Sequence, residues 1–293
     1  MTPEGHATRR AVLAAENAAP AHWDRRPRHR LPRPVAYLGR YVGKTLAIAG
    51  MEARKLLHDP TELLTRAVQP ALWLLVFGQV FTRIHAIPTG NVRYIDFMAP
   101  GILSQSVLFI AIFYGISVIW ERDLGILHKF LVSPTPRSAL VLGKAISAGL
   151  RGLTQAAIVY LLAVLLGVGM NWTPLALLGV LLVVMLGAAF FATFSLVTAC
   201  IVKTRERFMG IGQILTMPLF FASNAIYPLS IMPRWLQIAA HANPLTYQVD
   251  ALRGLMLTGG TSTYGLGLDL GILAAATAVL VAVASWLYPS IAT

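Results

Sequence analysis

Long apolar runs recur along the chain, separated by short segments that contain most of its charges. A helix that crosses a bilayer core needs about 20 consecutive apolar residues. Six runs reach that length, and each predicts a membrane-spanning helix. They lie at about 64–84, 97–119, 146–168, 175–201, 208–229 and 266–288. An even number of spans returns both termini to the same side of the membrane.

A different pattern precedes the first run. Between Val35 and His58, apolar residues recur every three or four positions and basic residues lie off that stripe. This spacing is typical of an amphipathic helix that lies along a membrane surface. Asp59 and Pro60 then form an N-cap and first-turn pair that starts the first span. Residues 1–34, rich in proline and arginine, predict a disordered basic tail that contacts anionic lipid.

The segment 120–144, between the second and third runs, combines charges with apolar residues at short helical spacing. A helix of this kind can set its apolar face into a groove of a soluble partner. The apolar positions include Leu124, Leu127 and Phe130, and the charges at the rim of that contact would be Glu121, Arg122 and Asp123. The alternative is a solvated connecting loop, which would have no need of Leu127 or Phe130.

The segment 227–257 is too polar to cross a bilayer and too apolar for an ordinary loop. Asn243 followed by Pro244 predicts the start of a short helix over about 244–256. On that helix Asp250 and Arg253 stand three residues apart and could pair. Because backbone at membrane depth must be shielded by protein, we expect helices that dip into the outer leaflet. A structural plug on the outer face is a compatible alternative.

Composition and charge agree with a membrane protein. Hydrophobic residues make up 56% of the 293 positions and charged residues 12%, against roughly 25% charged in a soluble domain. Of the 24 lysines and arginines, twelve precede residue 67, five lie between 120 and 151 and three between 203 and 207. With 20 on one side, both termini are predicted to be cytoplasmic. The basic tail lacks interleaved aromatic residues, so we expect no nucleic-acid partner.

Polar residues flanked by aromatic residues inside the spans are candidates for lining a substrate path. The candidate path residues are Gln105, Phe109, Phe113, Phe220, Phe221 and Asn224. Hydrogen bonding between helices is the alternative role for each polar member. No acidic residue lies at mid-span, which leaves proton or sodium coupling without a relay. This argues against a secondary transporter or channel, the alternative function.

The stretch GRYVGKT at 39–45 is similar to a phosphate-binding loop but has three residues between its glycines instead of four. No strand precedes it, so we expect this chain to bind no ATP and not to be an enzyme. Acidic and histidine residues on the predicted outer side leave metal chemistry as an alternative, although their spacing matches no ligand motif. They are His85, Asp96, His241, Asp250 and Asp269.

Four stretches of the chain resemble the permease subunits of type 2 ABC exporters, in the daunorubicin-resistance group. The stretches are HDPTELLTRAVQPALWLLVFGQVF (58–81), ERDLGILHKFLVSPTPRSALVLGK (121–144), SNAIYPLSIMPRWLQ (223–237) and NPLTYQVDALRGLML (243–257). They follow the family's order over nearly the whole membrane part. The last is the most specific, because it is close to the family pattern NPLTYxVDALRG.

The resemblance implies an all-α membrane protein with six transmembrane helices in a domain over 35–293. It further implies a surface helix at 35–58, a cytoplasmic coupling helix at 121–132 and a re-entrant extracellular hairpin at 232–256. Arg205, within 203–207, would belong to a second, smaller contact with the partner. The residues of the extracellular gate would be Asn243, Pro244, Asp250 and Arg253.

The resemblance also implies partners. Two ABC ATPase subunits would hold ATP and Mg, and a second permease copy would complete a homodimer with a pathway through spans two and five. Such an exporter sits in the cell membrane and moves an amphiphilic substrate out of the cytoplasm or the inner leaflet. The substrate class would be a hydrophobic drug, a lipid or a lipid-linked glycan.

Overall fold

The computed structural model describes the residue ranges 41–46, 50, 60–84, 87–89, 92–125, 136–202 and 204–288. Across these ranges regular structure is helical, apart from one isolated bridge between Met170 and Leu257. The prediction of an all-α chain is confirmed for this part of the protein. Residues 41–46 are helical and fall within the predicted surface helix. Most of that helix and all of the tail at 1–34 lie outside the described residues.

The helices are labelled α1 to α10 in chain order. They are Pro60–Leu72, Gln79–Ile84, Tyr94–Tyr114, Ile116–Asp123, Arg137–Leu165, Pro174–Ile201, Arg205–Phe221, Arg234–Ala242, Pro244–Met256 and Leu266–Leu287. A π-helical segment, Trp73–Gly78, joins α1 to α2, and a 3₁₀ turn at Leu229–Ile231 precedes α8. Helix α4 follows α3 directly after a turn at Gly115.

Five helical stretches in the described ranges are long and apolar enough to cross a membrane. They are Thr65–Ile84, Tyr94–Asp123, Arg137–Leu165, Pro174–Ile201 and Leu266–Leu287. Four of them match predicted spans to within a few residues at each end. The helix assigned to the third span begins nine residues before the predicted start at 146, so it extends beyond the apolar run at that end.

The fifth predicted interval, 208–229, differs in structure from the prediction. Helix α7 ends at Phe221, and its 17 residues rise only about 26 Å, less than the roughly 30 Å of a hydrocarbon core. A turn follows, in which the Ser223 hydroxyl donates to the Phe220 carbonyl at 2.7 Å and accepts from the Ala225 amide at 3.3 Å. The apolar run therefore contains a helix end that hydropathy alone did not reveal.

Helix α6 lies at the centre of the bundle, in contact with α3, α5, α9 and α10. The candidate span Tyr94–Asp123, which consists of α3 and α4, is the most enclosed. In its apolar 18-residue stretch 78% of the residues are buried, against 17% in the first and last candidate spans. A helix that is apolar on all sides and buried belongs to a protein core, and one that is apolar and exposed needs lipid or another subunit around it. The first and last spans therefore lie at the surface of the bundle, where they face lipid or another subunit.

Candidate functional site

An ion-pair cluster joins the end of α4 to the start of α7 at the predicted cytoplasmic end. The Arg205 guanidinium donates to Asp123 Oδ2 from Nη2 at 2.7 Å and from Nε at 3.0 Å. Arg122 donates to the other oxygen, Oδ1, at 3.0 Å. Arg205 also stacks over the Trp120 ring, 3.7 Å from its centroid. Partly exposed pairs are individually weak, but a two-donor contact backed by cation–π stacking fixes the relative position of the two helices.

A second, buried ion pair ties α4 to α5. Lys144 Nζ lies 2.8 Å from Glu121 Oε1 and 2.7 Å from Oε2, and both residues are less than one-tenth exposed. The same ammonium group is 5.9 Å from the centre of the Tyr114 ring. Glu121 was expected at the rim of a partner contact, and the structure instead commits its carboxylate to Lys144. A buried carboxylate needs such a partner, which is why it is turned inward.

The remaining predicted coupling residues are only partly described. Leu124 is 65% exposed, although it is apolar, and Trp120 is 48% exposed beside it. Gly125, which follows, has a φ of 69° and turns the chain out of α4. Leu127 and Phe130 lie outside the described residues, so their contact with a partner stays a prediction.

The predicted path residues do not form one continuous lining. Phe109 and Phe113, whose ring centroids are 6.2 Å apart, face a groove of about 390 Å³ between α1, α3 and α5. Gln105 and Phe220 are buried between helices, and Phe220 meets Trp73 edge-on at 5.7 Å. Phe221, next to Phe220 at the C-terminal end of α7, is 44% exposed, and Asn224 is buried in the turn that follows.

Polar residues also line this groove. Arg66, Gln69, Ser106, Tyr114, Ser117, Arg151 and Gln155 line it together with the two phenylalanines. Arg151 stacks over Tyr114, with its guanidinium carbon 5.1 Å from the ring centroid. Arg66 and Arg151 had been counted only as charges that set topology. Their positions inside predicted spans could have identified them as candidate site residues, because an ionisable residue within a span indicates a functional site by default.

One polar contact in this groove follows directly from a proline. Pro70 in α1 has no N–H, so the Arg66 carbonyl four residues earlier loses its usual helical donor. Gln155 Nε2 of α5 supplies a replacement at 3.3 Å. A carbonyl freed within a membrane helix is commonly satisfied by a neighbouring helix in this way. The proline therefore fixes α5 beside the groove.

At the opposite, predicted outer end, two carboxylates share a set of hydroxyl donors. Asp250, fully buried on α9, accepts from the Thr263 hydroxyl at 2.8 Å, the Tyr264 amide at 3.0 Å and the Ser262 hydroxyl at 3.1 Å. Ser262 also lies 2.7 Å from Asp269 Oδ2 at the start of α10. Burial, followed by the neighbouring Tyr247, Asp250 and Asp269, raises the pKa of the Tyr264 phenol.

Asp250 and Arg253 have different partners, although their spacing on α9 would allow them to pair. Arg253 Nη2 donates to the Asn224 carbonyl at 2.7 Å, and the guanidinium lies 3.9 Å from the Phe97 ring centroid. Through Arg253, α9 contacts both the turn after α7 and helix α3. Through Asp250, it contacts the loop before α10. Among the described residues no group of three His, Cys, Asp or Glu side chains is placed to hold a metal ion.

Asn243 connects α9 to α7, in addition to capping α9 as predicted. Its Oδ1 accepts from the Leu245 amide at 3.1 Å, and its Nδ2 donates to the Leu219 and Ala222 carbonyls at 2.6 and 3.1 Å. Pro244 occupies the first helical position, where no N–H is required. The side chain therefore satisfies the N-terminus of one helix and the C-terminus of another at once.

Replacing Asn243 with alanine should lower the free energy of unfolding by about 2 kcal/mol, because a cap and the donor to two carbonyls are lost together. The matched control is Asn171→Ala, which removes a single side-chain bond to the Thr173 amide at the start of α6. The control should cost less than about 1 kcal/mol. Unfolding in mixed micelles measures both, and equal losses would contradict the bridging role of Asn243.

Known proteins resemble this chain over most of its length. The ABC-2 type transporter family matches residues 44–257, more than half of the chain. The ycf38 protein of Cyanophora paradoxa, named as a transport permease, is 30% identical over 69% of this chain and 70% of its own length. The daunorubicin resistance ABC transporter permease protein DrrB1 of Streptomyces coeruleorubidus is 28% identical over 77% of each chain.

A third relative is named for a different process. Nodulation protein J of Rhizobium leguminosarum bv. trifolii is 26% identical over 67% of this chain and 74% of its own. The matched residues 44–257 include the ion-pair cluster, the groove and all of α9. These matches, together with the apolar helices, show a multi-pass membrane protein. The chain belongs to the ABC-2 type transporter family as one of its permeases.

Proposed function

We propose that this chain is the transmembrane subunit of an ATP-driven exporter in the cell membrane. Two copies would pair, and two ABC ATPase subunits would bind their cytoplasmic side. The pair would move an amphiphilic substrate out of the cytoplasm or the inner leaflet. The observation that carries this proposal is the Asp123–Arg205 cluster, because it joins two separate helices at the base of the predicted coupling segment.

The cluster gives that segment a mechanical role. A force applied by a partner to residues 121–132 would reach α7 through Arg205 and α5 through the Glu121–Lys144 pair. Both contacts are made by charged hydrogen bonds, which hold their geometry better than apolar contact alone. Movement at the ATPase would therefore be passed to the helices that border the groove and the outer turn.

The nucleotide and its magnesium would be held by the partner. In this chain the last residues of GRYVGKT lie in a helical stretch, 41–46, in which the Thr45 hydroxyl donates to the Tyr41 carbonyl at 3.1 Å. A phosphate loop instead needs that hydroxyl on Mg²⁺ and an open backbone beside it. The arrangement supports a surface helix with Lys44 directed towards headgroups.

The outer end would act as the gate. We propose a six-span topology in which α7, extended by its turn, is the fifth span, and in which α8 and α9 form a re-entrant pair. Asn243, Pro244, Asp250 and Arg253 would hold this pair closed against α3 and α7. Both termini would then be cytoplasmic, in agreement with the distribution of basic residues.

The proposal is tested by purifying the full chain from its native membranes in a mild detergent. An ABC ATPase subunit should co-purify, and its ATPase activity should rise on association. The Leu127→Ala, Phe130→Ala double variant should weaken the affinity for the ATPase subunit about thirtyfold, because two apolar anchors that the partner would bury are each worth roughly 1 kcal/mol.

The matched control is the Leu175→Ala, Leu178→Ala variant, which truncates two exposed leucines at the other end of the bundle. This variant should retain the ATPase subunit. If the unaltered chain purifies with no ATPase at all, the exporter proposal fails. A secondary transporter or channel would then be the better explanation.

A further inference from the structure

A cavity of about 340 Å³ lies at the predicted outer end of the chain. Its walls come from the segment before α3, the first turn of α3, the turn after α7, the end of α9 and the loop that follows α9. Small-molecule sites in proteins have volumes of roughly 300 to 1,000 Å³. The space is therefore large enough for a small ligand or for a single head group.

Asn224 presents a buried acceptor to this cavity. The residue lines the cavity and is 2% exposed, and its Oδ1 has no hydrogen-bond partner. A buried acceptor without a donor is costly. The fold does not require this side chain, because Ser223 and Asn243 already hold the turn through bonds to main-chain groups. An unsatisfied amide that the turn does not need points to a ligand.

Arg253 brings an unsatisfied donor to the same wall. Its Nη2 donates to the main-chain carbonyl of Asn224 at 2.7 Å, so the guanidinium lies beside that residue. Its Nε is buried and has no hydrogen-bond partner. The ring centroid of Phe97 lies 3.9 Å from the guanidinium carbon and restricts its movement. One wall of the cavity thus holds a donor and an acceptor in position before any ligand binds.

The charge of Arg253 is offset within the protein. Asp250 lies three residues earlier on α9 and acts electrostatically on the guanidinium. A ligand therefore needs no net charge of its own, and the unsatisfied hydrogen bonds decide what the cavity takes. Hydroxyl groups supply further polar positions in the described lining, from Thr89, Ser230, Thr261 and Thr263.

A hydroxyl group satisfies both unpaired atoms, because its oxygen can accept from Arg253 Nε while its hydrogen is donated to Asn224 Oδ1. A carboxylate only accepts and would leave Oδ1 unpaired, and an ammonium group only donates and would leave Nε unpaired. One water could also bridge the two atoms, but a water takes up roughly 30 Å³, about a tenth of this space. The rest of the cavity mixes hydroxyl groups with apolar side chains such as Val92, Leu229 and Leu257.

We propose that this cavity binds a neutral hydroxylated ligand, a sugar or another polyol, through Asn224 and Arg253. A sugar carries donor and acceptor hydroxyls at its edge and apolar C–H groups on its faces, which matches the mixed lining. Two sources offer this chemistry, a free polyol in the outer medium and the head group of an amphiphile in the outer leaflet. The site goes beyond the exporter proposal, because binding there requires neither an ATPase nor a transport step.

Equilibrium binding to the purified full chain in phosphatidylcholine nanodiscs tests the proposal, with binding to empty nanodiscs subtracted. The probes are tritiated octyl glucoside and octyl tetraethylene glycol methyl ether, both used below their micelle concentrations. The ether oxygens accept from Arg253 but cannot donate to Asn224. Octyl glucoside should therefore bind about tenfold more tightly, because the ether leaves the buried Oδ1 unpaired.

The variant Asn224→Leu removes the acceptor at similar side-chain size. Its affinity for octyl glucoside should fall about tenfold, to that of the ether, while its stability should not fall, because Oδ1 has no bond to lose in the protein. Arg253→Lys keeps the positive charge near Asp250 and removes the Nε donor, so it should weaken both probes. If Arg253→Lys does not fold, Asn224→Leu decides alone.

The matched control is Asn171→Leu, also at the predicted outer end. Asn171 is not among the residues that line the cavity, and its Oδ1 already accepts from the Thr173 amide. This variant should bind octyl glucoside like the unaltered chain. Tritiated glucose separates the two sources, since a free polyol site should bind it as tightly as octyl glucoside and a head-group site should bind it far more weakly.

Three results would overturn the proposal. They are no saturable binding of either octyl glucoside or glucose, equal affinity for octyl glucoside and the ether, and a preference for the glucoside that survives in a folded Asn224→Leu variant. The first would mean that the cavity holds water only. Each result is independent of the exporter proposal, which is decided by co-purification and ATPase activity.

Discussion

Replacing Glu121 with alanine is expected to lower the free energy of unfolding by about 3 to 5 kcal/mol. The reason is that Lys144 would keep its charge inside the protein without a partner, at a position that is 7% exposed. Lys144→Met should lower the free energy of unfolding by a similar amount, because it leaves the buried Glu121 carboxylate without its partner. Unfolding in mixed micelles, followed by tryptophan fluorescence, measures both variants.

The double variant Glu121→Leu, Lys144→Met distinguishes the effect of the ion pair from the effect of leaving one charge buried without its partner. An apolar replacement of both partners is often neutral or stabilising, so the double variant should recover most of the stability lost by either single change. Co-purification of an ATPase subunit gives a second measurement on the same protein. A double variant whose loss of stability equals the sum of the two single losses would show that the two charges act separately.

Gly101→Ala is expected to cost about 3 kcal/mol or more. Gly101 lies in the middle of α3, and a Cβ atom added there would sit 2.3 Å from the Ala225 carbonyl oxygen and 2.8 Å from its carbonyl carbon. These are backbone atoms of the turn after α7, so no side chain can rotate to make room. Overpacking of this kind forces the two segments apart. The loss should be visible as a lower midpoint of thermal unfolding.

Gly271→Ala provides the matched control for this change. Gly271 lies within α10, and no atom is found within 4 Å of the position that its Cβ would take. The substitution should therefore stabilise the protein by about 0.5 to 1 kcal/mol, as expected for glycine to alanine in an unobstructed helix. If both variants lose stability equally, the close approach of α3 to the turn is not what makes Gly101 necessary.

Most of the fold could be predicted because hydropathy and local capping determine it. The interval 175–201 became α6, at Pro174–Ile201, and the Asn243–Pro244 pair predicted the start of α9 correctly. Both signals are local in sequence. The end of α7 was missed because apolar residues on both sides of Ser223 and Asn224 extend the hydrophobic run, and only the three-dimensional contacts of Ser223 and Asn243 reveal the turn.

The candidate site was predicted less completely, because its contacts join distant parts of the chain. Glu121 and Lys144 are 23 residues apart, and nothing in their local sequence indicates that they meet. Arg205 was predicted as a partner contact, and its bond to Asp123 over 82 positions could not be derived from spacing. Arg66 and Arg151 were interpreted only as charges that set the membrane topology, so their position beside Phe109 was not predicted.

The π-helical segment Trp73–Gly78 has a consequence for variation in chain length. A π turn holds one residue more than an α turn, so removing one residue there would leave a regular α-helix with α1 and α2 still presenting the same faces. The same deletion within α6 would rotate the rest of that helix by about 100° and turn its buried residues away from α3. Trp73–Gly78 is thus the place in the first span where a residue can be gained or lost at least cost to the packing around it.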